Sequence, residues 1–111
     1  RSLLMTKLIS KELVQLFKNY PLYTQENESD PLVVAKLFDA YGSATWYLTE
    51  YNPEEQVAFG YVTGLAYDEW GYVSLSELAE IRHPILGPRI ERDRYFDQQR
   101  FSALGLLETV Q

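Results

Sequence analysis

At 111 residues, with 46% hydrophobic and 23% charged side chains, the chain fits one folded domain and excludes wholesale disorder. The lack of cysteine and the single histidine, His83, exclude a disulfide framework, thiolate metal centres and sites built from paired histidines. A net charge of −6 conceals a split: residues 26–80 hold eleven acids against one base, Lys36, while both flanks are mildly basic.

Ile9, Leu13, Leu16 and Phe17 form the stripe of an amphipathic helix, with Ser10 or Thr6 as its cap and Asn19-Tyr20-Pro21 as its stop. Residues 24–31 are polar, acidic and non-periodic, which predicts an exposed loop. The period then changes to two. Residues 32–39 and 44–51 read as a hairpin around Tyr41-Gly42-Ser43, and residues 57–65 add a third strand after the turn Asn52-Pro53-Glu54-Glu55. Gly60 and Gly64 weaken or bulge that strand. Asp68-Glu69-Trp70-Gly71 reads as a turn into a short fourth strand at Tyr72-Val73.

Ser74-Leu75-Ser76-Glu77 has capping-box spacing and opens a helix that turns Leu75, Leu78 and Ile81 to the core and ends before Pro84. Residues 83–89 are loop, and residues 90–96 fit either an edge strand or a helical turn. Residues 102–111 read as a loosely attached tail helix, and Met5 as a natural start preceded by an added or disordered leader at residues 1–4. The predicted class is α+β: an antiparallel three- to four-stranded meander with an N-terminal helix and one or two C-terminal helices on one face.

Strict alternation places Trp46, Leu48 and Glu50 on one side of their strand and Tyr47 and Tyr51 on the other. Glu50 is then a pocket-edge acid beside Trp46, Arg92 and Asp93, or the ion-pair partner of an arginine such as Arg92. Tyr47 and Tyr51 form an exposed stacking surface, which joins Glu54, Glu55, Asp68 and Glu69 in an acidic, tyrosine-rich docking face. The alternative to docking is a surface that serves solubility alone. Glu50, Glu91 and Asp93 are the candidate ligands of a divalent metal, although no metal-loop spacing, phosphate-binding loop or serine-nucleophile motif occurs. The residues give little support to catalysis, and no cofactor is expected.

Several segments carry a family likeness. Pro21-Leu22-Tyr23, Lys36-Leu37-Phe38, Thr45-Trp46-Tyr47-x-Thr49-Glu50-Tyr51 and Phe59-Gly60-Tyr61-Val62-x-Gly64 come first, followed by Gly71-Tyr72-x-Ser74-Leu75-x-Glu77-Leu78 and Ile90-Glu91-Arg92-Asp93-x-Tyr95-Phe96. In this order, over residues 21–96, they resemble a bacterial family known as domain of unknown function 2958. The resemblance implies cargo of plasmids, phages and integrative elements, and a pattern that includes Trp46, Glu50, Gly60, Gly64, Glu77, Arg92 and Asp93. The chain departs from it at Tyr67-Asp68-Glu69-Trp70, where such proteins more often carry an acidic stretch.

The expectation is therefore a small, non-enzymatic accessory protein of a mobile element that binds a basic protein partner, with a protein that acts on nucleic acid or in host defence as the candidate partner. Direct nucleic-acid binding by charge is disfavoured by the acidic balance. No apolar run reaches the roughly 18–20 residues that cross a bilayer, and no signal-peptide pattern opens the chain, so a cytoplasmic protein is expected. A metal-dependent hydrolase or nuclease and a small-ligand or nucleotide-binding module are the alternatives.

Overall fold

The computed structural model describes residues 8–107, so the leader at residues 1–4 and the end of the tail helix from residue 108 lie outside the described residues. The first helix, α1 (Lys11–Leu16), is capped by Ser10, whose extended backbone lets its hydroxyl accept from Leu13 N–H at 3.1 Å. Its apolar stripe does what the spacing predicts: Ile9, Leu13 and Phe17 are buried and Leu16 packs at their margin.

Five strands follow in quick succession: β1 (Leu32–Val33), β2 (Ala35–Asp39), β3 (Thr45–Asn52), β4 (Val57–Thr63) and β5 (Glu69–Ser74). Ser74 ends β5 and caps α2 (Leu75–Glu80), accepting from Glu77 N–H at 3.2 Å. The remaining elements are β6 (Arg82–His83), β7 (Gly87–Pro88), β8 (Ile90–Arg92), β9 (Gln99–Arg100) and a 3-10 turn at Phe101–Leu104. The main sheet is antiparallel with the order β5-β4-β3-β2-β8. It is the predicted meander with one more strand, because β8 returns to the outer edge of β2.

Four local expectations change. The strand predicted at residues 32–39 divides at Val34, where β1 leaves the main sheet to pair with β9. Glu69, Trp70 and Gly71 are strand rather than turn. The reversal falls earlier, where Gly64 takes a φ of +85° and donates its N–H to Asp68 Oδ1 at 3.2 Å. Residues 83–89 are no plain loop but the tip of a small β6–β7 hairpin. Ile81, assigned to the core from spacing, caps the C-terminus of α2 and is exposed, since the helix ends a turn too early to bury it.

The decisive irregularity lies in β3. Its pairing with β4 runs from Thr45↔Thr63 to Leu48↔Gly60 and resumes at Glu50↔Phe59, leaving Thr49 as the extra residue of a β-bulge. Thr49 Oγ1 donates to Phe59 O at 3.2 Å across the irregularity. Alternation inverts beyond this point. Trp46, Leu48 and then Tyr51 face the helices, in one core with Leu13, Phe17, Leu37, Leu75 and Leu78. Glu50 is turned to the opposite face.

That opposite face carries a second, smaller cluster of Val33, Tyr61 and Phe101, with Tyr47 and Trp70 packed against it. The C-terminal segment is strapped there by Asp30, whose carboxylate accepts from Ser102 N–H at 2.8 Å and Ser102 Oγ at 2.6 Å. Those Ser102 bonds, the largest influence on Asp30, hold its carboxyl below the usual carboxylate range. Thus α1 and α2 cover one face as expected, while the tail segment packs on the other.

Gly60 sits where the bulged strand comes closest. A Cβ there would lie 2.2 Å from Tyr47 O, whereas a Cβ on its cross-strand partner Gly71 would meet nothing within 4 Å. Gly60→Ala is expected to lower stability in urea titration by about 1–3 kcal/mol, the usual cost of overpacking. Gly71→Ala should stay within about 0.5 kcal/mol of the parent. Equal midpoints for the two variants would show that the close approach carries no weight.

Candidate functional surface

Glu50 leaves the bulge on the face away from the helices and is only 3% exposed. No arginine among the described residues pairs with it. Its Oε1 accepts from Tyr23 N–H at 2.8 Å and its Oε2 from Gln25 N–H at 2.7 Å, so the carboxylate clamps the segment that joins α1 to the sheet. Tyr23 adopts a φ of 76°, a left-handed geometry costly for a side chain bearing Cβ. Gln25, predicted to lie in an exposed loop, is buried: its Nε2 donates to Leu32 O and Thr49 O, both at 2.9 Å, and its Oε1 accepts from Leu32 N–H at 2.7 Å. Two backbone donors and a neutral amide network thus replace the ion pair expected for Glu50.

Strand register lays aromatic rings in two rows on this face. One runs Lys36, Tyr47, Tyr61, Trp70 across β2, β3, β4 and β5, and the next runs Glu50, Phe59, Tyr72. Phe101 closes over the first row, 5.0 Å from Tyr61 and 4.7 Å from Trp70 between ring centroids. The second row stays open. Phe59 and Tyr72 lie 4.8 Å apart, Tyr23 stands edge-on to Tyr72 at 6.5 Å, and Tyr23 and Tyr72 are each 58% exposed. Packing, then the neighbouring Tyr23 hydroxyl, then the charges of Glu50 and Glu26 push the Tyr72 phenol above its ordinary pKa. The result is a solvent-facing aromatic step with a negative field around it.

The residues singled out in the sequence divide differently from expectation. Tyr47 is half-buried beneath Lys36, whose Nζ lies 5.7 Å from its ring centroid, and burial raises its pKa. Tyr51 does not share its face. The bulge drives Tyr51 into the helix-side core at 1% exposure, 5.7 Å from Phe17, and removes it from any docking surface. Glu54 and Glu55 are exposed at the β3–β4 turn, where their N–H groups donate to Asn52 Oδ1. Asp68 and Glu69 are exposed at the opposite end of β4, roughly 20 Å away at the usual rise per strand residue. These four acids flank the sheet at two ends instead of forming one patch.

The grouping of Trp46, Glu50, Arg92 and Asp93 also separates. Trp46 and Arg92 share the helix-side face with Leu37 between them, while Glu50 is on the other face. Arg92 pairs with Glu12, and Asp93 pairs with Lys36 at 3.8 Å. The three candidate metal ligands are likewise not brought together. Glu91 lies opposite Phe38 near the far end of the sheet, and Asp93 answers Lys36 there, well away from Glu50. Among the described residues no group of three acidic or histidine side chains converges to hold a metal ion. His83 Nδ1 accepts from Ile85 and Leu86 N–H, each at 3.1 Å, which commits it to the hairpin tip.

Sequence reading missed Tyr23, Phe59 and Tyr72 as the open aromatic step, with Trp70 in the covered row beside it. The spacing Phe59-x-Tyr61 against Trp70-x-Tyr72 carried the signal, hidden because Trp70 was assigned to a turn. Two outcomes follow from the buried groups. Glu50→Gln removes one acceptor and sets an amide N–H₂ against a backbone donor. It should cost about 2–3 kcal/mol and speed hydrogen exchange at the Tyr23 or Gln25 amide, and unchanged protection at both would refute the clamp. The Tyr51 hydroxyl has no hydrogen-bond partner among the described residues, and burial pushes its pKa up to about 12. The unfolded chain releases that proton near pH 10, so from there to about pH 12 the native state holds more protons and stability falls as pH rises. Tyr51→Phe should flatten that alkaline decline and gain about 1 kcal/mol at neutral pH, measured by chemical unfolding across pH. An identical alkaline limb in the variant would assign the decline elsewhere.

No helix among the described residues is long and apolar enough to cross a membrane. No curated protein and no solved structure matches the chain. A family model described as "Protein of unknown function (DUF2958)" matches residues 5–104, nearly the whole sequence and all of the sheet, and the chain belongs to that family.

Proposed function

We propose that this protein is a non-enzymatic interaction module that binds a basic segment of a protein partner on the open aromatic step. The observation that carries the reading is the Glu50 clamp. It spends a buried carboxylate and a strained backbone to hold Tyr23 against Tyr72, which in turn meets the half-buried Phe59, so that the Tyr23 and Tyr72 rings are more than half exposed to solvent. Exposed aromatic clusters of this kind supply hot-spot contact area, and their ring faces attract guanidinium and ammonium groups. Glu26, in the clamped loop, adds charge complementarity. The neighbouring strand, β5, is an edge of the sheet and contains neither lysine nor proline, so its outer backbone groups are open to a partner's main chain. The mobile-element setting, with a partner that acts on nucleic acid or in host defence, rests on the family resemblance and belongs to the same proposal.

Binding of an arginine- and lysine-rich peptide, followed by calorimetry, tests this reading. The double variant Tyr23→Ala/Tyr72→Ala should keep the parent's thermal midpoint, since both rings are exposed, and weaken binding by at least about tenfold. Glu26→Gln should weaken it by roughly two- to fivefold and reduce its salt dependence. Equal affinity for an acidic peptide, or no change in the tyrosine variant, would overturn it.

A further inference from the structure

We infer that the cleft bounded by α1, the β6–β7 hairpin and β8 is a binding site for a small organic phosphate. It lies on the helix-side face, away from the aromatic step, and stands or falls independently of it. Its volume is about 500 Å³, within the range of ordinary small-molecule sites.

The charge of this cleft runs against the rest of the molecule. In a chain of net charge −6, Arg82, Arg92 and Arg94 all line it, three of the five arginines in residues 81–111. The other two are neutralised, Arg89 by Asp39 at 2.7 Å and Arg100 by Glu28 at 3.9 Å. Arg82 and Arg94 have no ion-pair partner among the described residues. Leu8 and Ile90 supply an apolar wall, suited to the body of an organic ligand rather than a bare ion. Glu91 also borders the cleft, but its register opposite Phe38 directs its side chain to the other face of the sheet.

Arg92 sets the chemistry. Its side chain is only 12% exposed, so its charge requires a counter-anion close by. The counter-anion is Glu12, 62% exposed in the first turn of α1. An exposed carboxylate on a buried guanidinium is readily exchanged for another anion that offers more oxygens. A carboxylate ligand would satisfy Arg92 alone, whereas a phosphate monoester carries the charge and the three oxygens to engage Arg82 and Arg94 as well.

Calorimetry on the full chain at fixed ionic strength, with inorganic phosphate and adenosine monophosphate as probes, decides the matter. Both should bind, the nucleotide at least about threefold more tightly because of the apolar wall. Glu12→Gln should lower the thermal midpoint yet tighten both probes roughly three- to tenfold, a sign that a purely structural ion pair does not give. Arg82→Gln/Arg94→Gln should leave the midpoint unchanged and weaken binding at least about tenfold. Absence of millimolar binding in both the parent and Glu12→Gln would overturn the site. So would binding indifferent to the arginine pair, or phosphate binding with the nucleotide excluded.

Discussion

One extra residue in β3 governs how this molecule is put together. Without the bulge at Thr49, Glu50 would continue the row of Trp46 and Leu48 into the core beneath α1 and α2, where an unpaired carboxylate costs several kcal/mol. The bulge sends Tyr51 there instead, and its ring packs on Phe17. Glu50 is delivered to the other face, where the chain arriving from α1 crosses the sheet with unsatisfied N–H groups. The left-handed turn at Tyr23 aims those groups at the carboxylate, and Gln25 completes the junction by bonding both neighbours, Leu32 and Thr49. Helix, loop and sheet are joined through one acidic side chain.

What could be read from the sequence was what is decided locally. The stripe of Ile9, Leu13 and Phe17, the caps at Ser10 and Ser74, and the turns around Gly42 and Pro53 each depend on a few adjacent residues, and each stands where it was expected. The bulge has no such signature, because Leu48-Thr49-Glu50-Tyr51 alternates as well as any regular strand. Its cause lies across the sheet at Gly60, whose missing side chain lets the Tyr47 carbonyl approach. From that one hidden feature came the misplacement of Tyr51 and of Glu50 together. Trp70 went astray for a related reason: Asp-Glu-Trp-Gly has turn chemistry, and only pairing with Tyr61 makes it strand. The two-residue strands β1 and β9 exist solely through contacts some 70 positions apart in the chain, as from Ser102 to Asp30, beyond any local period.

The acidic middle of the sequence is partly consumed by the fold. Burial opposes the Asp39 carboxylate, but the Arg89 hydrogen bonds, the Tyr41 N–H and the guanidinium charge prevail and keep its pKa low. Asp30 holds the tail, Glu28 meets Arg100, and Glu50 serves the backbone. The acids that remain in solvent at Glu54, Glu55, Asp68 and Glu69 stand at two ends of the sheet. Charge so distributed steers a cationic partner over a Debye length but fixes no docking geometry. Geometry has to come from the rings of Tyr23, Phe59 and Tyr72, which is why the aromatic step rather than the acidic residues defines the proposed contact.

Placing an arginine-lined cleft and an acidic aromatic step on opposite faces of one sheet has an electrostatic logic. On a shared face, guanidinium groups would pair with the free acids, and both surfaces would lose their selectivity. The sheet separates them. The one free acid that shares the helix-side face in this register, Glu69, stands at the far end of the row Arg92, Leu37, Trp46, Val62, Glu69, with a largely buried apolar centre between it and the arginines. A packed antiparallel sheet of this kind transmits little unless it holds two arrangements of similar energy. With a single register, an anion on Arg92 gives the far face no differential free energy, so occupancy of the two surfaces should be additive.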